Sequence, residues 1–79
     1  MSGTRLVFYT TAGCHLCEYA DEMLAHLKQH AEITVDTVDI SSSEELVEQY
    51  GIRIPVVKRE SDGAELGWPF SYEELANLA

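Results

Sequence analysis

Two cysteines three positions apart, Cys14 and Cys17, stand where one periodicity gives way to another, and that junction constrains the fold more than any other feature. Ahead of them, Leu6-Val7-Phe8-Tyr9-Thr10 is a β-favouring run, apolar at both parities, as a central strand covered on both faces would be. Thr11-Ala12-Gly13 interrupts it. From Cys14 to His30 the apolar residues Leu16, Ala20, Met23, Leu24 and Leu27 recur at spacings of three and four, the pattern of an amphipathic helix. The cysteine pair is therefore expected at the N-terminal end of a helix that follows directly on a buried strand.

The remaining elements follow from similar signals. Residues 33–40 read as a second strand rich in Val, Ile and Thr, although Val35 and Val38 fall on opposite parities. Ser41-Ser42-Ser43 before Glu44-Glu45 supplies cap oxygens and first-turn acids for a short helix to about Tyr50, ended by Gly51; Ser42 and Glu45 have capping-box spacing. Pro55-Val56-Val57-Lys58-Arg59 and Ala64-Glu65-Leu66-Gly67 flank Ser61-Asp62-Gly63, whose Asp-Gly pair marks an antiparallel hairpin. A last helix starts near Ser71, with Glu74 completing a capping box and Tyr72, Leu75, Ala76 and Ala79 as its inner face. The order β-α-β-α-β-β-α, with right-handed crossovers, predicts an α/β fold: a four-stranded mixed sheet, its first strands parallel and its last hairpin antiparallel, flanked by helices.

With 79 residues there is room for one domain, spanning 1–79, whose core hides roughly 60–65% of the surface the unfolded chain exposes. Fourteen acidic residues against five Lys and Arg leave a net charge of −9. Such a balance argues against nucleic acid and anionic membranes, and suits solubility or a basic partner. Met1-Ser2-Gly3-Thr4-Arg5 shows no signal peptide, and no membrane span is visible. Two cysteines this close cannot staple a secreted fold, so a reducing, cytoplasmic setting is expected, with the protein as a monomer.

Counting about 100° per residue, Cys14 lies about 140° from the centre of the apolar stripe and Cys17 about 80°, so Cys14 is expected exposed and Cys17 partly sheltered. Helix residues three apart have Cβ atoms about 5–6 Å apart, and a disulfide needs about 3.5–4.5 Å, so the bond is reachable if Cys14 occupies the cap. Unsatisfied N–H groups at a helix start favour a thiolate. Cys14 is thus the candidate nucleophile, forming a mixed disulfide that Cys17 resolves. Gly13 lets a substrate chain come close, and His15, when protonated, adds positive charge, although a solvated histidine fits that position equally well.

Other chemistries fit the pair less completely. A structural zinc needs four ligands, and His26 lies about 13 Å along the helix from Cys17, too far for one ion. A zinc or iron-sulfur site shared by two chains stays open, as does a pair of inert core cysteines. His26 and His30 read as surface, Trp68-Pro69-Phe70 as core closure under the last helix, and Glu44, Glu45, Glu48, Glu73 and Glu74 as solvated helix charges.

Strand, CxxC at a helix start, and Ile54-Pro55 opening a later strand occur together in the order of the glutaredoxins and thioredoxins. The chain resembles that superfamily over essentially its whole length, and most of all the small bacterial glutaredoxin-like proteins with a Cys-His-Leu-Cys motif. The resemblance implies a thioredoxin-like fold, a cis Ile54-Pro55 bond beside the cysteines, and an Ile54 backbone available to a substrate strand or glutathione, with Arg53 as an anion contact. It also implies thiol-disulfide exchange with no cofactor beyond the Cys14–Cys17 pair. The partners would then be a disulfide-containing protein or low-molecular-weight thiol, with a reductase or glutathione as electron donor. Two rival classes are a non-enzymatic binding module of the same fold and a metal-carrying dimer through the CxxC. The chain departs from the family pattern in lacking a proline between the cysteines. The paired glycines and acid that grip glutathione in glutaredoxins are also replaced, by Gly67-Trp68-Pro69-Phe70-Ser71.

Overall fold

A computed structural model describes residues 3–79; Met1 and Ser2, the head of the N-terminal stretch read for a signal peptide, lie outside the described residues. Four strands, β1 (Thr4–Thr10), β2 (Ile33–Asp39), β3 (Val56–Arg59) and β4 (Glu65–Gly67), form one sheet in the order β2-β1-β3-β4. β1 runs parallel to β2 and antiparallel to β3, which pairs antiparallel with β4. Helices α1 (His15–Lys28), α2 (Glu44–Tyr50) and α3 (Tyr72–Leu78) connect or follow the strands, and a 3₁₀ turn at Ile40–Ser42 precedes α2. The mixed sheet and the element order are those expected, and no helix among the described residues is long and apolar enough to cross a membrane.

β1 is apolar at both parities because the sheet is covered on both faces. Leu6, Phe8 and Val57 pack against Cys17, Ala20, Leu24 and Leu27 of α1 and against Leu75 and Leu78 of α3. On the opposite face Val56, Ile40 and Tyr50 form a second cluster with Tyr9, Leu46 and Ile54 against it. The two parities of β2 serve the two faces: Val35 is in register with Leu6, and Val38 with Tyr9. Thr37, in register with Phe8, is the one polar residue in the series Ile33, Val35, Thr37 on the α1 side.

Several local expectations change in detail. The apolar stripe of α1 runs through Cys17, not Leu16: Cys17 is 4% exposed and Leu16 is 46% exposed. Leu16 is thus outside the core it was assigned to: the inward place in the first turn is taken by Cys17, one position on and about 100° round the helix. The helix itself is His15–Lys28, with Cys14 as its cap and Gln29-His30 in the following turn. Ser43, not Ser42, caps α2, accepting from the Leu46 amide at 3.4 Å, while the Ser42 hydroxyl donates to the Asp39 carbonyl inside the 3₁₀ turn. On α3 the Ser71–Glu74 capping box forms as predicted, and Leu78 joins Leu75 as the second buried residue of the helix.

At the Ser61-Asp62-Gly63 turn, Gly63 takes a φ of 77° and Asp62 accepts from the Ala64 amide at 3.1 Å, as an Asp-Gly hairpin turn requires. Arg59 grips both oxygens of Asp62 and also donates to the Leu78 carbonyl at 2.8 Å, tying the hairpin to the end of α3. That grip holds the Asp62 carboxyl down to about 2.

Candidate active site

The site forms where β1 ends and α1 begins. Thr11-Ala12-Gly13 carries the chain from one to the other, and Gly13 does so at a φ of 80°, a left-handed conformation that side chains with a Cβ rarely adopt. Cys14 then takes extended backbone angles, φ −86° and ψ 103°, as a helix cap should, and its Sγ accepts the Cys17 amide N–H at 3.1 Å. A sulfur atom therefore occupies the place that a Ser or Asp oxygen fills in an ordinary cap. Cys14 and Cys17 are joined in a disulfide with a Cα–Cα separation of 5.2 Å, inside the usual range.

Both cysteines are more buried than the helical wheel implies. Cys17 is buried in the core, while Cys14 is half-buried rather than exposed, because the cap position folds it back against the same cluster. Of the two sulfurs, Cys14 is thus the one open to an incoming group. Beside the disulfide opens a groove of 290 Å³ lined by Phe8, Thr10, Thr11, Gly13, Cys14, Cys17, Glu18, Asp21 and Thr37. Phe8 of β1 and Thr37 of β2 border it from the sheet, and the first two turns of α1 from the helix. Asp39, in register with Thr10, adds a carboxylate at the end of β2. Hydrogen bonds from the Ser41 amide and hydroxyl hold Asp39 below the usual carboxylate range.

Of the residues expected to serve substrate, Gly13 lines this groove beside the cysteines. His15 points to solvent, its side chain 92% exposed, with Nδ1 3.3 Å from a Glu18 carboxylate oxygen. Arg53, Ile54 and Pro55 are not part of the groove wall. The Ile54-Pro55 bond is cis, Pro55 is buried, and Ile54 packs against the core cluster that contains Cys17. The Ile54 amide, however, donates to the Tyr50 carbonyl at 3.0 Å, so of its two backbone groups the carbonyl alone is uncommitted to that turn. The Arg53 guanidinium donates to Glu65 at 2.9 Å and lies 5.3 Å from the centre of the Tyr50 ring.

This last group is a network that sequence reading missed. Tyr50, stacked on Tyr9 at 4.2 Å, donates its hydroxyl to the other oxygen of Glu65 at 2.6 Å. Burial, reinforced by the carboxylate of Glu65, pushes the Tyr50 phenol up, and the Tyr50 hydroxyl with Arg53 holds Glu65 down. The network fastens the 50–55 loop to β4; its partners are 12 and 15 residues apart, so no local pattern announces it. Glu18 and Asp21 were missed as well, although they follow Cys14 and Cys17 at four-residue spacing and therefore share their side of the helix. A second aromatic group lies nearby: Tyr19 stacks on Trp68 at 6.5 Å, and Trp68 meets Phe70 edge-on at 5.1 Å. Phe70 is buried as expected of core closure; Trp68 is half-exposed, and its amide donates to the Pro55 carbonyl at 3.1 Å.

Set beside known proteins, this architecture has close company. A crystal structure of a Northeast Structural Genomics target from X. campestris is 35% identical over 91% of this chain and 91% of its own, with a TM-score of 0.79. A solution structure of a Nitrosomonas europaea protein is 26% identical over 98% of this chain and 92% of its own, at a TM-score of 0.83. A mutant thioredoxin from Halobacterium salinarum, at 17% identity and a TM-score of 0.75, covers 98% of this chain with 72% of its own and shows that the fold is thioredoxin-like. Among curated proteins none matches. The model of the glutaredoxin-like domain (DUF836) matches residues 5–78, from the second residue of β1 to the last of α3. A disulfide-forming CxxC pair at the head of the first helix of a thioredoxin fold thus has its family: the chain belongs to the glutaredoxin-like domains.

Proposed function

We propose that the protein is a thiol-disulfide oxidoreductase in which Cys14 attacks and Cys17 resolves. The observation that carries this reading is the cap itself: Cys14 Sγ takes the Cys17 N–H at 3.1 Å at the positive end of a 14-residue helix. In the reduced protein a Cys14 thiolate would keep that hydrogen bond and gain the favourable interaction with the helix N-terminus, which favours thiolate over thiol. The thiolate attacks one sulfur of a substrate disulfide, forming a mixed disulfide and expelling the other sulfur as a thiol after protonation. Cys17 then loses its proton to solvent and attacks Cys14 Sγ, closing the protein disulfide and releasing the second substrate thiol. Two electrons pass from the protein dithiol to the substrate, and no group beyond the two cysteines takes part.

Burial of Cys17 supports the order of events, since a thiol hidden in an apolar core is slow to react with outside disulfides but adjacent to the one bond it must break. Regeneration requires a thiol donor, either glutathione or a dithiol reductase, in a reducing compartment. The test is reduction of a small disulfide such as bis(2-hydroxyethyl) disulfide, run with glutathione and with thioredoxin reductase as alternative recycling systems. Turnover is expected with the wild type and a loss of at least about a hundredfold with Cys14→Ser, as for removal of a covalent nucleophile. Equal rates for wild type and variant in both systems would instead leave a binding module.

A further inference from the structure

The groove beside the disulfide has a charge as well as a shape. Among the described residues, Glu18 and Asp21 are its only charged lining residues, the rest being threonines, Gly13, Phe8 and the cysteines themselves. The cations of the described chain are turned elsewhere. Arg5, Arg53 and Arg59 are paired with Asp36, Glu65 and Asp62. Lys58 follows Val57 in β3 and so points to the opposite face of the sheet. Lys28 borders a neighbouring depression with Asp21 and Thr37, about 10 Å further along α1 than Asp21. His15 reaches Glu18 from the solvent side, its own side chain 92% exposed.

We propose that Glu18 and Asp21 are specificity-determining residues of the disulfide groove, selecting disulfides flanked by Lys or Arg over anionic ones such as glutathione disulfide. The inference rests on the oxidoreductase reading and names its substrate class. A substrate cysteine bonded to Cys14 lies at the groove that the two carboxylates also line, so charged residues beside it come under their influence. There like charge is repelled and opposite charge attracted, in a chain whose net charge of −9 acts in the same sense at longer range. Glutathione carries two carboxylates and one ammonium, and among the described residues no cation lines the groove to receive them. The charge preference acts on the first step, formation of the mixed disulfide, and leaves the electron balance unchanged.

The experiment is a single-turnover measurement at about pH 8 and low ionic strength with pre-reduced protein freed of reductant. Two disulfide-bonded peptides are compared, identical except for Lys or Glu beside each cysteine, with wild type and with the double variant Glu18→Gln/Asp21→Asn. The expected result is a preference for the Lys peptide of about tenfold in the wild type, falling below about threefold in the double variant and fading with added salt. Reduction of both peptides at one rate by the wild type overturns the proposal while leaving the oxidoreductase reading intact. A preference unchanged in the double variant also overturns it, assigning selectivity to overall charge. No reduction of either peptide overturns both readings.

Discussion

Gly13 and Glu65 show how single residues set the site from a distance and from next door. At a φ of 80° Gly13 turns the chain so that the following residue can cap α1, and there is open space around it, so conformation rather than packing demands glycine. Replacing it with alanine should cost about 1–2 kcal/mol, the left-handed penalty for a residue with a Cβ. The shift is readable as a lower urea midpoint with an unchanged m-value. Glu65 acts through charge. Its carboxyl is held down by the Tyr50 hydroxyl first and Arg53 second, so its folded-state pKa lies below the unfolded one. The stability it contributes is present above the unfolded value and is lost as pH falls through the folded one. Tyr50 runs the other way: its pKa is raised by burial, so its contribution is complete below an unfolded value of about 10 and is lost as pH rises beyond it. Unfolding of Glu65→Gln followed against pH should therefore show a flatter acid limb than the wild type below about pH 4. Identical acid limbs would assign the acid sensitivity to other carboxylates.

At the scale of elements, the caps and turns were the most legible part of the sequence. Ser71 with Glu74, and Asp62 with Gly63, are local signals whose meaning depends on three or four neighbouring residues, and both appear as read. Ser71→Ala should remove the hydrogen bond its hydroxyl accepts from the Glu74 amide, while the residue-71 backbone N–H keeps its bond to Glu74, and cost about 1 kcal/mol, measured by the same denaturant titration. Ser42 was misread for a related reason. Three serines in a row offer three possible caps, and the 3₁₀ turn begun at Asp39 decides among them by using the hydroxyls of Ser41 and Ser42 first. Leu16 illustrates a second limit. Spacing places it near the apolar stripe, but which of two neighbouring positions faces the core is set by how the helix lies on the sheet, and Cys17 takes the inward place. The parity of Val35 and Val38 became intelligible for the same reason, once helices were found on both faces of the sheet.

For the molecule as a whole, the CxxC at the strand-to-helix junction and the Ile54-Pro55 step were enough to identify the fold and a cysteine pair able to form a disulfide. They were not enough to define the surroundings of the pair. The groove takes Thr37 from β2 and Asp21 from the second turn of α1, and the loop before Pro55 is fastened by Tyr50, Arg53 and Glu65, contributions that come together only through the topology β2-β1-β3-β4. Arg53, which the resemblance offers as an anion contact, is engaged by Glu65. The site that results is a buried sulfur, a half-buried sulfur at a helix cap, and an acidic wall beside them. The central claim is the division of labour between the sulfurs, and trapping the mixed disulfide tests it most directly. Reduced Cys17→Ser incubated with a disulfide-bonded peptide and examined by intact mass spectrometry should accumulate one peptide adduct, mapped to Cys14, whereas Cys14→Ser should stay unmodified under the same conditions. An adduct of comparable yield on Cys17 in the Cys14→Ser protein would contradict the account.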